Sequence, residues 1–277
     1  MLKKGEFNLN SNDWKEKISI LMEGNLTNLF QDYSQVDGFT FESNENYGIL
    51  ISPYNSYLLN TVLYFNIVDE SKLEFYISNI INTFSDKHLS FTWRIGGLSR
   101  NKDVIKLLLE KNGLKYLEDQ PLMWLDFLDY FKSMSLSNPS KLNIKQIVDG
   151  EDYCDYLEVL SNGFQLDPII TSFFMKFQNF FGFKKSSKIR NFVGYYYDKP
   201  VCCSSIYTDN KSCSICNVTT KKEYRKRGFG REITLHSIRE VHELGFPGVG
   251  LFSSFDGYEL YRKLGFLKIS SNIIYRM

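Results

Sequence analysis

Histidine is scarce here, three in 277 residues, and no stretch approaches the roughly 20 consecutive apolar residues that a membrane-spanning helix requires. The opening Met1-Leu2-Lys3-Lys4-Gly5-Glu6-Phe7 turns polar too soon for the apolar core of a secretory signal, so a cytoplasmic protein with no membrane partner is expected. Disulfide spacing is missing too. Cys154, Cys202, Cys203, Cys213 and Cys216 are odd in number and follow no framework, which argues for reduced thiols. Cys213 and Cys216 form one C-x-x-C in a strand-like segment, where positions three apart face opposite ways, so they are not expected to share a metal. With His88 in a loop and His236 and His242 on the charged side of a helix, no ligand cluster forms and no metal is expected. Excess charge of either sign is also absent: 33 Lys and Arg face 32 Asp and Glu, a net +1, which gives no long-range field for nucleic acid.

Several nucleotide and hydrolase signatures are missing as well. There is no G-x-x-x-x-G-K-[ST], no G-x-G-x-x-G directly after a strand and no G-x-S-x-G. What the chain does contain is the run Val218-Thr219-Thr220-Lys221-Lys222-Glu223-Tyr224-Arg225-Lys226-Arg227-Gly228-Phe229-Gly230. A strand-like segment ends at Val218, Thr219 and Thr220, and an amphipathic helical pattern follows. Gly228 and Gly230 leave backbone N–H groups unscreened where a helix directs its positive dipole end, and Arg225, Lys226 and Arg227 add charge. The run therefore reads as a phosphate cradle, with a solvated basic turn or a nucleic-acid patch as alternatives. At 100° steps from Phe229, Ile233, Leu235, Ile238, Val241 and Leu244 share one half of the wheel, while Gly245 and Pro247 supply the stop.

Arg225-Lys226-Arg227-Gly228-Phe229-Gly230 matches the R/Q-x-x-G-x-G/A signature and resembles the GNAT superfamily of acyl-CoA-dependent N-acyltransferases. Downstream, Leu251 to Phe266 looks like the strand, short helix and terminal G-F of the same fold, and the resemblance covers about the last 135 residues. It implies an α/β (α+β) fold with a mixed, mostly antiparallel sheet flanked by helices. The element order in this half agrees: an edge strand from Leu142, two helices across Asp152 to Phe183, strands at Lys188–Tyr197, Val201–Thr208 and Ser212–Thr220, then the cradle, helix, strand, short helix and strand.

A polar stretch from Ser133 to Ser140 is the best linker candidate and divides the chain. The expected domains are residues 1–135 and 141–277. Leu107 to Lys115 echoes Leu260 to Lys268, each a helix, a Gly stop and a strand, so the first half looks like a degenerate second copy of the GNAT fold. It contains a helix at Lys72–Phe84 and strands at Leu89–Ile95 and near Met123-Trp124-Leu125. It should bind no CoA, since Val68-Asp69-Glu70-Ser71 would present carboxylates to a phosphate and Leu109 stands where the other copy has Tyr261.

The resemblance further implies acetyl-CoA as acyl donor, bound by Val218, Thr219, Thr220, Arg225, Lys226, Arg227, Gly228, Phe229 and Gly230, with the backbones of Val218 and Thr220 meeting the pantetheine arm. Tyr261, in the family's Y-x-x-x-G-F position, is the expected general acid for the leaving thiolate, or else a core aromatic. Ser254 reads first as an N-cap and second as a CoA contact. Glu223 and Asp256 are expected to be solvated or capping, and no base is evident. Seven phenylalanines from Phe164 to Phe183 are either acceptor pocket or packing. The expected reaction transfers an acetyl group to a primary amine, on a small molecule or a peptide, by direct attack in a ternary complex. A non-catalytic CoA-binding sensor or scaffold and an aminoacyl-tRNA-using transferase are the alternatives, and oligomeric state is open.

Overall fold

The structure is a computed structural model that describes residues 13–97, 99–133, 141–184 and 187–277. Met1 to Phe7 and most of the linker candidate, residues 134–140, lie outside the described residues. In chain order the first elements are α1 (Asp13–Tyr33), β1 (Thr40–Ser43), β2 (Tyr47–Ile51), β3 (Thr61–Phe65), α2 (Leu73–Ser85), β4 (Thr92–Ile95), α3 (Lys102–Lys111), β5 (Lys115–Asp126) and α4 (Phe127–Ser133). There follow β6 (Asn143–Gln146), α5 (Gly150–Phe164), α6 (Pro168–Phe181), β7 (Ile189–Tyr196), β8 (Lys199–Thr208), β9 (Cys213–Thr220), α7 (Phe229–Glu243), β10 (Gly248–Phe252), α8 (Tyr258–Lys263) and β11 (Leu267–Arg276). No helix among the described residues is long and apolar enough to cross a membrane.

The chain forms two compact units. The larger comprises Met1–Asn25 and Leu122–Ile269, the smaller Leu26–Pro121 and Ser270–Met277. Each unit thus takes a piece of chain distant in sequence from its main body, because strand partners are chosen by hydrophobic pattern and not by proximity along the chain.

In the smaller unit β1, β2 and β3 pair antiparallel, β3 runs parallel to β4, and β4 pairs antiparallel with the end of β11 through Ile273↔Ile95 to Arg276↔Thr92. Asn44 sets the first turn by accepting the N–H groups of Asn46 and Tyr47 on its Oδ1. α2 and α3 cover one face, burying Ile77, Ile80, Phe84, Ile105 and Leu109 against Val62, Trp93 and Ile95. The turn before α2 carries Asp69, whose carboxylate accepts the Ser71 N–H and lies 3.3 Å from Lys72 Nζ. The helix, strand, helix, strand order of the echo is present as α2, β4, α3 and β5.

In the larger unit β6, β7, β8 and β9 form antiparallel neighbours, β9 runs parallel to β10, and β10 pairs antiparallel with the end of β5, Gly248↔Asp126 to Phe252↔Leu122. Alternation along the strands sends Phe192 and Cys202 to one core and Val193 and Cys203 to another. α7 and α8 pack on the first face and α5 with α6 on the second. Trp14, Ile18 and Met22 of α1 cluster with Leu122 and Trp124. α6 starts where Pro168 fixes the first helical φ and Asp167 accepts the Ile169 N–H at 2.8 Å.

A chain divided at the 134–140 segment separates Leu122–Asp126 from β10 and Ser270–Met277 from β4. Residues 141–277 expressed alone are expected to aggregate, since β10 loses its antiparallel partner and presents an open edge. Residues 1–133 co-expressed with them are expected to restore a soluble complex. Size-exclusion chromatography of each piece and of the pair checks this.

Candidate functional site

β9 and β10 share a single register pair, Gly250↔Ser214, although β9 continues to Thr220. On its other edge β9 stays paired to β8 as far as Cys202↔Thr220. The result is a parallel pair that parts beyond Ser214, leaving one edge of β9 without a partner strand over Ile215 to Thr220 among the described residues. Val218, Thr219 and Thr220 all lie on this stretch.

The cradle stands at the end of that edge. Lys222–Tyr224 form one tight helical turn, then Lys226 adopts φ +62°, Arg227 returns to negative φ, and Gly228 takes φ +90° as N-cap of α7. Alternation of hand turns successive N–H groups toward one side, the geometry of an anion nest. The first backbone donors used by the helix are Arg231 and Glu232, both bonded to the Gly228 carbonyl. The N–H groups of Lys226, Arg227, Gly228, Phe229 and Gly230 have no acceptor among the described residues. A Cβ on Gly228 would meet open space, so its requirement is conformational, whereas a Cβ on Gly230 would make ordinary contact, 3.6 Å from Leu260 and Thr220. Phe229 is buried in the core and anchors the turn.

The three cradle cations are not equivalent. Arg225 donates from Nε to the Thr220 carbonyl at 3.1 Å and from Nη2 to the Gly163 carbonyl at 2.7 Å, so it ties the loop to the last turn of α5. Lys226 and Arg227 are exposed, with Arg227 lying 5.4 Å over the Tyr224 ring. Lys221 is buried and paired to Glu158 of α5. α5 approaches β9 so closely at Gly163 that a Cβ there would sit 2.2 Å from Thr219 Oγ1.

Tyr261 occupies the middle of α8 with its ring buried against Phe266 and Gly257. Its hydroxyl makes no hydrogen bond to a described residue. Burial, then nearby Cys216, pushes the phenol well above its ordinary value. Cys216 itself is pushed up to about 12 by burial. Both groups are therefore protonated at neutral pH. Thus β9 and α8 bring a protonated donor beside the strand whose edge is unpaired.

Ser254 does not cap α8: the N-cap is Gly257, and Ser254 Oγ accepts the Gly257 N–H at 3.2 Å, closing the turn before the helix. Glu223 and Asp256 are exposed. On the charged side of α7, His242 is exposed and His236 is half-buried. His236 packs on Phe192 and is pushed down by burial, and His242 lies against Phe127 and Phe131. No group of three His, Cys, Asp or Glu suited to a metal occurs among the described residues.

Two features of the site had little trace in the sequence. The β8–β9 register steps between Cys203 and Ser205, setting Asn217 and Val218 opposite Ser204, with Asn217 at φ +55°. Asn tolerates that left-handed conformation better than most residues, the only available signal. Asn217 Nδ2 reaches Tyr156 Oη at 3.1 Å, Tyr156 shares a 2.7 Å bond with Ser205, and Ser205 bonds Asn191, which bonds Gln178. This buried chain pins the bulge to α5, β7 and α6. The second feature is an open groove of about 610 Å³ between α5 and α6, lined by Leu157, Ser161, Pro168, Thr171, Ser172 and Met175. Its walls include none of the seven phenylalanines: Phe173 and Phe177 are buried, Phe181 packs on Phe177, Phe174 and Phe183 pack on the Tyr153 cluster, and Phe164 and Phe180 are exposed.

The parted parallel strands, the open helix N-terminus and the tyrosine helix define a GNAT architecture, a mixed and mostly antiparallel sheet flanked by helices. No family model and no curated protein matches the chain. Solved structures do. A GCN5-related N-acetyltransferase from Kribbella flavida superposes with TM-score 0.68 at 12% identity over 90% of this chain and 94% of that one. Another from Sphaerobacter thermophilus gives TM-score 0.60 at 13% identity, over 85% and 81% of the two chains. A tandem GNAT protein from the clavulanic acid biosynthesis pathway gives TM-score 0.59 at 11% identity, over 87% and 84%. The chain thus has the tandem GNAT fold.

Gly163→Ala drives a methyl group into Thr219, and moving β9 or α5 to admit it is expected to cost about 1–3 kcal/mol. A denaturant titration checks this, with a fall in midpoint at constant slope as the expected outcome.

Proposed function

We propose that this chain is an acyl-CoA-dependent N-acyltransferase that moves an acetyl group from acetyl-CoA to a primary amine by direct attack in a ternary complex. The observation that carries this reading is the row of unbonded N–H groups from Lys226 to Gly230, aimed from the N-terminus of α7 and adjoining the unpaired edge of β9. Five donors without an acceptor suit a pyrophosphate, to which charge-assisted bonds are about twice as strong as neutral ones. Lys226 and Arg227 add counter-charge, and Arg225 supports them by holding the loop to α5.

The groups from Val218 to Thr220 offer an extended ligand arm the hydrogen bonds of a neighbouring strand, as in strand addition at a sheet edge. Acetyl-CoA, when bound, supplies the activated acyl group. Backbone N–H groups held in a sheet stabilise negative charge on an oxygen without reorganising. The Tyr261 hydroxyl holds its proton through neutral pH and donates it to the departing sulfur. The amine, on a small molecule or a peptide, enters with no base assigned to it. Chemistry belongs to the larger unit. The smaller unit binds no CoA, because Asp69 and Glu70 stand where it would need a cradle, and Leu109, where the larger unit has Tyr261, is fully buried. Ser254 contributes a cofactor contact from its turn.

Saturating acetyl-CoA is expected to raise the melting temperature, by about 2.7 kcal/mol of stabilisation at a hundred times Kd. Gly228→Asp, which strains a φ of +90° and adds negative charge at the nest, is expected to abolish the shift. A shift unchanged in that variant places the site elsewhere.

Tyr261→Phe removes a hydroxyl with no protein partner, so stability and acetyl-CoA affinity are expected to change little. The single-turnover rate with any accepted amine is expected to fall about 10²- to 10⁴-fold. Wild-type single-turnover rates in the variant would make Tyr261 a packing residue. Acetyl-CoA binding without turnover on any amine would instead make the chain a CoA-binding sensor.

A further inference from the structure

The smaller unit carries a pocket on the sheet face opposite α2 and α3. Trp93 and Ile95 of β4 point into the core beneath those helices, so Thr92 and Arg94, which alternate with them, project from the other face. A cavity of about 290 Å³ lies there, with Phe30, Leu58 and Leu117 among its apolar walls and Arg94, Thr92 and Gln120 among its polar ones. Thr92 Oγ1 is already bonded to Thr61 Oγ1 at 3.0 Å. Arg94 is not so well satisfied. Its Nη1 donates to Gln120 Oε1 at 2.8 Å and its guanidinium lies 5.8 Å from the centre of the Phe30 ring, but its Nε is buried with no acceptor.

No carboxylate pairs with Arg94 among the described residues. The nearby Glu118 accepts from Gln120 Nε2 at 2.9 Å. Burial pulls the guanidinium down to about 10 against the attraction of Glu118 and Tyr33, which leaves it charged at neutral pH. A cation whose Nε is buried without an acceptor, and to which Glu118 lends attraction but no ion pair, is costly in a fold unless a ligand completes it. We infer that this pocket binds a small organic carboxylate, its oxygens on Arg94 and its apolar body against Phe30, Leu58 and Leu117. One cation beside Glu118 suits a single negative charge and disfavours a dianion. The volume, at the lower end of the roughly 300–1,000 Å³ range of ligand pockets, limits the ligand to a short chain.

Titration calorimetry on the full chain with isocaproate, its neutral isostere isocaproamide and inorganic phosphate tests the inference. Isocaproate is expected to bind, the amide about ten- to hundredfold more weakly, as for loss of a hydrogen bond to a charged group. Phosphate is expected to give no heat. Arg94→Met keeps the side-chain length and removes the charge, and Leu58→Trp blocks the wall while leaving Arg94 intact. Each is expected to lose isocaproate binding with a cooperative melt retained, and if the first fails to fold, the second decides. Equal affinity for acid and amide, tighter binding of phosphate, retained isocaproate binding in either variant, or no binding by the unaltered chain would each overturn it.

Discussion

The parting of β9 from β10 is the constraint on which the rest of the larger unit depends. A parallel pair normally continues until one strand ends, because every backbone N–H and C=O left unpaired inside a fold costs free energy. Here pairing stops at Ser214↔Gly250 while β8 holds β9 in place to Thr220. The unpaired edge faces a gap, the N-terminus of α7 stands at its end, and α8 sets Tyr261 near Cys216 of the same strand. Each element is ordinary by itself. The gap between two strands turns them into a place where an extended, anionic molecule can dock.

Keeping that gap open falls to contacts behind it. Gly163 lets α5 close on Thr219, Arg225 binds the Gly163 carbonyl, and Lys221 pairs with Glu158 of the same helix. The Asn217, Tyr156, Ser205, Asn191 and Gln178 chain holds the bulge in β9. A buried polar chain of this kind is stabilising only when its members are satisfied, and the bonds joining these five meet that condition. Arg225, which the sequence pattern assigns to phosphate, also ties the loop to β9 and α5 through the Thr220 and Gly163 carbonyls.

The two units illustrate how one topology can serve two ends. In the smaller, the tight turn leading into α2 places the Asp69 carboxylate on the Ser71 N–H, so negative charge already stands before that helix. Its opposite sheet face instead holds Arg94, a cation whose Nε is buried without an acceptor. In the larger, the turn before α7 carries Arg225, Lys226 and Arg227, and the N–H groups from Lys226 to Gly230 have no acceptor among the described residues. Charge at one helix terminus separates the two.

Local chemistry was legible from the residues alone. Gly228 marked the turn that opens α7, because the left-handed N-cap found there favours glycine. The 100° periodicity of Ile233, Ile238 and Val241 fixed the buried face of α7, as their burial bears out. The repeat of helix, Gly and strand exposed the tandem fold. What depended on distant parts of the chain was not legible. Leu122–Asp126 and Ser270–Met277 joined the units they did because strand pairing is decided by complementary edges, which leave no local signal. His236 and His242 drew aromatic neighbours from other elements, Ser254 closed a turn and not a helix, and Arg225 reached the Gly163 carbonyl. The sequence by itself determined the buried face of α7 and the order of elements from β6 to β11, since those follow from periodicity and turn residues, whereas α1 and β1 to β3 left no such reading. Only the tertiary structure decided which donors stayed free, because a hydrogen bond is free or spent according to what packs beside it.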